Sequence, residues 1–99
     1  MYRLVWSREA LDELEELRSY IAADNPRAAL GVFVRIVDLV ALLPRQPSIG
    51  RPGRVPGTRE LVISNTPCTV AYSVIGSDTI RVLGVRHGAR KWPESFSNE

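Results

Sequence analysis

Residues 50–92 decide the fold of this chain, and their sequence is GRPGRVPGTRELVISNTPCTVAYSVIGSDTIRVLGVRHGARKW. Three runs rich in β-branched residues lie within this stretch, at 61–63, 69–75 and 79–85. Turn residues at 65–67 and 76–78 separate these runs. β-branched residues between tight turn signals are typical of neighbouring strands joined by short connections. The stretch therefore predicts an antiparallel meander of three strands.

Two basic segments flank this meander. The loop before it carries arginines among prolines and glycines, at Arg51, Arg54 and Arg59. The last strand leads into residues 86–93, RHGARKWP. Residues 44–93 hold eight Arg and Lys against two acidic residues, whereas residues 1–43 hold five Arg against seven acidic residues. This asymmetry favours a basic surface for phosphate on a nucleic acid or nucleotide, and the alternative is that the arginines only solubilise a small sheet.

The N-terminal half predicts one strand and the first of two helices. Residues 2–6 have the length and alternation of a short strand that joins the later sheet. Ser7 is a typical N-cap, with acidic residues in the turns that follow it. An apolar residue recurs at helical spacing along one stripe, at Ala10, Leu14, Leu17 and Ile21. This first helix is therefore expected to be amphipathic.

A second helix follows after a very short connection. Asn25 can cap it, Pro26 has the backbone angle of a first helical residue, and Pro44 is expected to end it after Leu43. A two- or three-residue connection makes the two helices an antiparallel hairpin. Residues 45–57 are too rich in proline for a helix and are expected to form an irregular surface loop.

Together these elements predict an α+β fold with the order β-α-α-β-β-β. The helical hairpin packs on one face of a small, mostly antiparallel, four-stranded sheet, and the other face stays partly open. We expect a single domain over residues 1–94 and a disordered tail over residues 95–99.

Composition excludes several classes of function. Cys68 is the only cysteine, so the chain has no internal disulfide and no cysteine metal cluster, and a packing role is expected for this residue. The sequence has one histidine, no glycine-rich nucleotide-binding motif and no nucleophile elbow. We therefore expect neither a metal site nor a cofactor. No signal peptide or membrane span is evident, so we expect a cytoplasmic protein that does not bind membranes.

RNA cleavage by attack of a 2′-hydroxyl is one chemistry that the basic half could support. It needs a base, an acid and cations around the phosphate. His87 can act as acid or base, Glu60 as base if it faces outward, and Arg59 and Arg90 can stabilise charge. Trp92 or Tyr72 could stack on a base. The alternatives are a structural His87, a Glu60 that pairs with a neighbouring arginine, and aromatic rings that belong to the core.

A wider basic surface is expected around these residues. From the loop side it would contain Arg51, Arg54 and Arg59; from the strand end it would contain Arg86, His87, Arg90 and Lys91. The residues expected to bind phosphate or RNA are Arg51, Arg54, Arg86, Lys91 and Trp92.

The chain resembles the RelE/ParE superfamily of toxins from bacterial type II toxin–antitoxin modules. Apart from the β-α-α-β-β-β layout, the resemblance rests on DNPRAA at 24–29, GRPGRVPGTREL at 50–61, VAY at 70–72 and VRHGARKWP at 85–93. It covers essentially the whole chain. It implies a protein that arrests growth when it is freed from a cognate antitoxin, a small and partly acidic protein with which it forms a hetero-oligomer. We expect an amphipathic antitoxin segment to lie along the helical hairpin or beside the sheet.

The superfamily has two functional branches. RelE-like members cut mRNA in the ribosomal A site, whereas ParE-like members poison DNA gyrase and are not nucleases. By resemblance to the first branch, Arg59 matches a basic strand position and Arg90 lies near a basic position after the last strand. Leu61 and Thr69 stand where that branch often has basic residues. We expect ribosome-dependent mRNA cleavage by a metal-independent endoribonuclease; the alternatives are gyrase inhibition and a non-catalytic partner-binding module.

Overall fold

A five-stranded sheet covered by two helices forms the structure, a computed structural model that describes residues 1–88, 92–93 and 95–96. In chain order the elements are β1 (Arg3–Trp6), α1 (Arg8–Ala22), α2 (Pro26–Val40), β2 (Arg51–Pro52), β3 (Arg59–Val62), β4 (Cys68–Ile75) and β5 (Thr79–His87). The strand order is β1-β5-β4-β3-β2. β1 runs parallel to β5, and every other neighbouring pair is antiparallel. The mixed α+β fold predicted from the sequence is confirmed.

The predicted strand count of four is wrong, because β2 adds a fifth strand. It has only two residues and pairs with Arg59 and Glu60 of β3. It lies in the segment 45–57 that the sequence predicts to be irregular. Two residues are too few to show an alternating pattern, and Pro52, which lacks an N–H group, is tolerated because β2 is at the edge of the sheet.

Both helix starts agree with the sequence, and the end of α2 does not. The side chain of Ser7 accepts a hydrogen bond from the Ala10 amide at 3.0 Å, and that of Asn25 accepts one from the Ala28 amide at 3.0 Å. α2 ends at Val40 instead of Leu43. The Leu43 amide bonds to the Val40 carbonyl, three residues back, so the chain tightens into turns there while Leu43 stays fully buried. Within the described residues, neither helix is both long and apolar enough to cross a membrane.

The core lies between the helices and one face of the sheet, which we call the inner face. The predicted stripe of α1 faces it, because Ala10, Leu14 and Leu17 are buried and Ile21 packs partly buried against them. The sheet contributes buried side chains from three strands, among them Leu61, Ile63, Val70, Tyr72, Ile80, Val82 and Val85. We call the opposite face of the sheet the outer face.

A register shift in β5 changes which side chains reach each face. Tyr72 pairs with Val82, whereas Ala71 pairs with Gly84, so Leu83 is an extra residue in its strand. The regular alternation of a strand is therefore interrupted at this point. Val82 and Val85 both belong to the core, although an uninterrupted strand would place them on opposite faces.

Aromatic side chains from the end of the described chain cover part of the outer face. The rings of Trp92 and Phe96 lie 5.8 Å apart between centroids. They pack directly over Gly84, where an added Cβ atom would come within 3.1 Å of Trp92 and 3.2 Å of Phe96. A side chain at position 84 would therefore displace this aromatic cover. Of the predicted tail, residues 97–99 lie outside the described residues.

Tyr72 joins the segment before β3 to the core. This segment, residues 45–58, includes β2 and is called the loop below. Its side chain is fully buried, and its hydroxyl accepts a hydrogen bond from the Gly50 amide at 2.9 Å and donates one to the Pro47 carbonyl at 2.8 Å. A Cβ atom at position 50 would lie 2.7 Å from the Tyr72 ring and hydroxyl, so only glycine fits there. The stacking role considered for Tyr72 is therefore not supported, because its ring lies inside the core.

Tyr72→Phe should lower the free energy of unfolding by about 1–3 kcal/mol, because the buried Gly50 amide loses its hydrogen-bond acceptor. Urea denaturation at neutral pH measures the change. Tyr20→Phe is the matched control, since the Tyr20 side chain is 70% exposed and little change is expected. Equal stability of the two variants would contradict this role of Tyr72.

The cost of Tyr72→Phe should shrink in alkaline solution. Burial raises the pKa of the Tyr72 phenol above its ordinary value, so the unfolded chain loses this proton first as the pH rises. The stabilisation by Tyr72 is thus fully present below about pH 10 and is lost as the pH rises through its folded-state pKa. Denaturation curves of the native protein and the variant should converge across this range; a constant difference would refute the expected pH dependence.

Candidate functional site

A small cleft on the outer face brings together cationic side chains from separate parts of the chain. Its volume is about 170 Å³. We call it the basic cleft, and it is lined by Arg51, Arg54, Glu60, Thr69, Arg86, Gly88 and Trp92. The sheet places β3 and β5 on either side of β4, with Thr69 opposite both Val62 and Arg86. The loop with Arg51 and Arg54 therefore lies across β4 from the end of β5.

Glu60 fixes the loop to the sheet inside this cleft. Its side chain is only 4% exposed. Oε1 accepts a hydrogen bond from Arg51 Nη2 at 3.2 Å, and Oε2 accepts one from the Arg54 backbone amide at 2.9 Å. A general base must reach the substrate hydroxyl from which it takes a proton. Both oxygens of Glu60 are instead occupied by the loop, an arrangement that fits the alternative in which Glu60 pairs with a neighbouring arginine.

Arg86 is held on the other side of the cleft. Its Nη1 atom donates to Glu13 Oε2, and its guanidinium carbon lies 4.8 Å from the centroid of the Trp92 ring. An ion pair and a cation–π contact on one guanidinium both restrict its orientation. Arg86 and Trp92, both expected to bind RNA, are therefore neighbours.

Glu13 is a site residue that the sequence reasoning missed. Its Oε1 atom accepts a hydrogen bond from the Val85 amide at 2.9 Å. β1 ends opposite Val82, so beyond this residue β5 has no strand beside it on that edge. Glu13 supplies there the hydrogen-bond acceptor that a neighbouring strand would otherwise provide. A signal was present: Glu13 follows Ala10 by three residues and precedes Leu17 by four, so it lies on the buried stripe of α1.

The two acidic side chains lower the charge of the basic cleft. Glu60 pairs with Arg51 and Glu13 with Arg86. Among the residues that the structure describes, the Arg54 side chain makes no ion pair, and it is exposed. The cleft thus presents one unneutralised guanidinium beside two that are already paired. Such a group can bind a phosphate or a carboxylate.

Arg59 lies on the same strand as Glu60 but on the opposite face of the sheet. Its Nη1 atom donates to the Gly50 carbonyl at 2.7 Å and to the Ser48 carbonyl at 3.4 Å. Arg59 therefore holds the loop from the inner side, and its guanidinium does not line the basic cleft.

His87 also lies away from the basic cleft. Its ring centroid is 5.9 Å from that of Tyr20 on α1, and it lines a separate cleft of about 490 Å³ with Glu16, Leu17 and Val85. The register puts Arg59 opposite Tyr72 and His87 opposite Cys68. Arg59 and His87 are thus about 13 Å apart along the strands and about 10 Å apart across them.

The structure therefore divides the predicted site residues into two groups. Arg51, Arg54, Glu60, Arg86 and Trp92 meet in the basic cleft. Arg59 and His87 do not, which corrects the single basic surface expected from the sequence. Their faces differ because adjacent residues of a strand alternate and because the extra Leu83 resets the alternation in β5.

Two further predicted residues, Arg90 and Lys91, lie outside the described residues. Within the described part of the chain, no group of three or more His, Cys, Asp or Glu side chains could hold a metal ion. The catalytic roles assigned to Arg59, Glu60, His87 and Arg90 stay predictions.

Glu60→Gln should destabilise the protein by about 1 kcal/mol, because the Arg54 amide and Arg51 lose a charged acceptor, while water partly replaces the contact to Arg51, which is 58% exposed. Denaturation measures this change, and hydrogen exchange of the Arg54 amide should accelerate as the loop loosens. Glu15→Gln is the control, since the Glu15–Arg18 pair is exposed and should contribute little. An unchanged Arg54 exchange rate would show that Glu60 does not hold the loop.

Comparison with known proteins gives consistent matches over nearly the full chain. A family model described as the ParE toxin of the type II toxin–antitoxin system parDE matches residues 4–92. A protein of Sinorhizobium fredii named as a toxin, Y4kP, is 39% identical over 92 residues, which cover 93% of this chain and 94% of that protein. Toxin RelE2 of Caulobacter vibrioides is 30% identical over 90 residues, which cover 91% of this chain and 99% of that toxin.

Solved structures give the same result. The chromosomal ParDE toxin–antitoxin system from P. aeruginosa contains a chain with a TM-score of 0.78 and 30% identity, and the match covers 89% of this chain and 97% of that one. The intact E. coli RelBE toxin–antitoxin complex contains a chain with a TM-score of 0.67 and 18% identity, and the match covers 92% of this chain and 100% of that one. At 18% identity the second match shows a shared fold alone.

Proposed function

Because the chain belongs to the ParE toxin family of type II toxin–antitoxin systems, we propose that it arrests growth by binding DNA gyrase and does not cut RNA. Family membership confirms the resemblance to the RelE/ParE superfamily drawn from the sequence. Gyrase is the target that this resemblance implies for the ParE-like branch. The proposal replaces mRNA cleavage, the activity expected first from the sequence, as the preferred mechanism.

The separation of the predicted acid–base residues carries this proposal. RNA cleavage needs the base, the acid and the cations around one phosphate. Glu60 is buried beneath the loop on the outer face, and His87 contacts Tyr20 on the side of α1. The described residues of the basic cleft include no histidine, and their one carboxylate is engaged by Arg51 and Arg54. An activity that depends on binding needs no such convergence.

Two further observations agree with a target-binding toxin. The family model that matches is that of ParE, and the solved structure from a ParDE system is more similar to this chain than the one from a RelBE complex. The exposed Arg54 guanidinium and the Trp92 ring beside Arg86 also give the outer face a positive, partly aromatic surface suited to docking.

Ribosome-dependent mRNA cleavage is the second candidate function. Arg54, Arg86 and Trp92 in one cleft favour it, because cations and an aromatic ring are the groups that bind RNA phosphates and bases. It would require a proton donor or acceptor to enter this cleft. Arg59, Glu60, His87 and Arg90 would then be the residues to test.

Native protein should cause covalent gyrase–DNA complexes to accumulate in a reaction with purified gyrase, and it should leave mRNA intact in a purified translation reaction. His87→Gln should keep the inhibition of gyrase, since His87 lies outside the basic cleft, whereas Arg54→Gln should weaken it. The readouts are trapped gyrase–DNA complexes and mRNA 3′ ends, with and without ribosomes.

Opposite outcomes would overturn the proposal. Ribosome-dependent cuts at a fixed position in the codon, lost in His87→Gln, would establish the second candidate. Toxic amounts of protein that trap no gyrase would exclude the first.

We also propose that a cognate antitoxin covers an apolar stripe on α2. Leu30, Val34 and Val37 are 61%, 45% and 37% exposed at i, i+4 and i+7, so they lie on one helical face. The groove beside them is also lined by two cations, Arg27 and Arg35, and one anion, Asp38. An amphipathic segment with acidic residues complements both the apolar side chains and the arginines.

Leu30→Glu should weaken the complex with the antitoxin encoded beside the toxin by about tenfold or more, because it puts a charge into an apolar contact. Calorimetric titration of purified toxin with antitoxin measures the affinity. Val62→Glu is the control, since Val62 is 51% exposed but belongs to β3. Equal losses of affinity in both variants, or no loss in Leu30→Glu, would show that the α2 stripe does not contact the antitoxin.

A further inference from the structure

Arg81 is a charged residue whose hydrogen-bonding capacity is not satisfied within the described residues. It lies on β5, between Val5 of β1 and Ser73 of β4. Its Nε atom is buried and has no hydrogen-bond partner there. A buried donor without an acceptor destabilises the folded state, and a guanidinium cannot avoid this cost by losing its proton. A ligand cannot reach this closed atom, but Arg81 also makes no ion pair among the described residues, so its charge is left for an anion that enters the adjoining space.

The side chain lines a cleft that could admit such an anion. The cleft has a volume of about 420 Å³, within the usual range for ligand sites. We call it the Arg81 cleft. Its apolar walls come from Val55, Pro56, Ile75, Leu83 and Phe96. Thr58 and Ser73 add hydroxyl groups, and none of the described lining residues is acidic.

Hydrogen bonds within the loop fix the wall of the Arg81 cleft that contains Val55 and Thr58. The Thr58 hydroxyl donates to the Val55 carbonyl at 2.7 Å, and the Gly53 amide donates to the Thr58 carbonyl at 2.8 Å. Val55 itself is 8% exposed. This part of the cleft is therefore an ordered surface.

The chemistry of the cleft selects its ligand. One guanidinium among mainly apolar walls suits a single carboxylate with apolar groups on either side, since the carboxylate can accept two parallel hydrogen bonds from arginine. A phosphodiester chain carries repeated charges that these walls could not pair. We propose that the Arg81 cleft binds an acidic side chain of a partner protein that is flanked by apolar side chains.

This site is distinct from the basic cleft. Thr69 lines the basic cleft and Ser73 lines the Arg81 cleft, so the two are about 13 Å apart along β4. Trp92 and Phe96 cover Gly84 between them. The inference does not depend on whether gyrase or mRNA is the target of the toxin.

A peptide titration tests the proposal. The probe is N-acetyl-Leu-Glu-Leu amide, added to ¹⁵N-labelled protein while the Nε–H resonances of the arginines are followed by NMR. The Arg81 signal should shift with saturation, and the otherwise identical Leu-Gln-Leu peptide should bind about tenfold more weakly, because it lacks the charge. The signal of Arg45, an exposed residue outside the cleft, should not move.

Two variants separate binding from folding. Arg81→Gln should abolish the glutamate preference while its backbone amide spectrum stays native, and Arg45→Gln should bind as the native protein does. The proposal is overturned if the Arg81 signal stays unchanged up to about 10 mM peptide. Equal binding of both peptides, or tighter binding of inorganic phosphate, would also overturn it.

Discussion

The buried carboxylate of Glu60 is the contact on which the outer face of this protein depends. It joins the Arg51 side chain and the Arg54 amide to β3, and so turns a loop rich in glycine and proline into a fixed surface. On the inner face, Tyr72 and Arg59 bind the same loop through Gly50. The loop is thus held from both faces of the sheet. Its order in turn forms one wall of each of the two outer clefts.

The same contact limits what the basic cleft can do chemically. A carboxylate buried and paired in this way stabilises structure and is poorly placed to take a proton from a substrate. Glu13 acts similarly on Arg86, so two of the three arginines in the cleft already have anionic partners. The surface that remains combines modest positive charge with an aromatic ring. Those are properties of a docking face, and they connect the packing of the loop with the proposed mode of action.

Much of the fold could be predicted because it follows from local signals. Ser7 and Asn25 cap their helices through side-chain contacts with the next turn, which sequence spacing alone determines. β2 and the extra residue at Leu83 could not be found in the same way. A two-residue strand has no periodicity, and a register shift depends on which partner residues in β4 the strand meets. The extra residue turns His87 away from the outer face, so His87 does not meet the loop arginines as expected.

The candidate site also depends on contacts between distant residues that sequence spacing does not reveal. Residue types near the ends of strands predicted the members of the basic cleft well, since Arg51, Arg54, Arg86 and Trp92 do meet there. The net charge around the cleft also depends on Glu13, which pairs with Arg86 from more than seventy residues earlier in the chain. An acidic residue on an apolar helical stripe requires a partner across the fold, because a carboxylate is not buried without one. The same physical rule, applied to a cation, distinguishes Arg81 from Arg51 and Arg86: the described residues supply it no anionic partner, and the proposed binding partner would supply one.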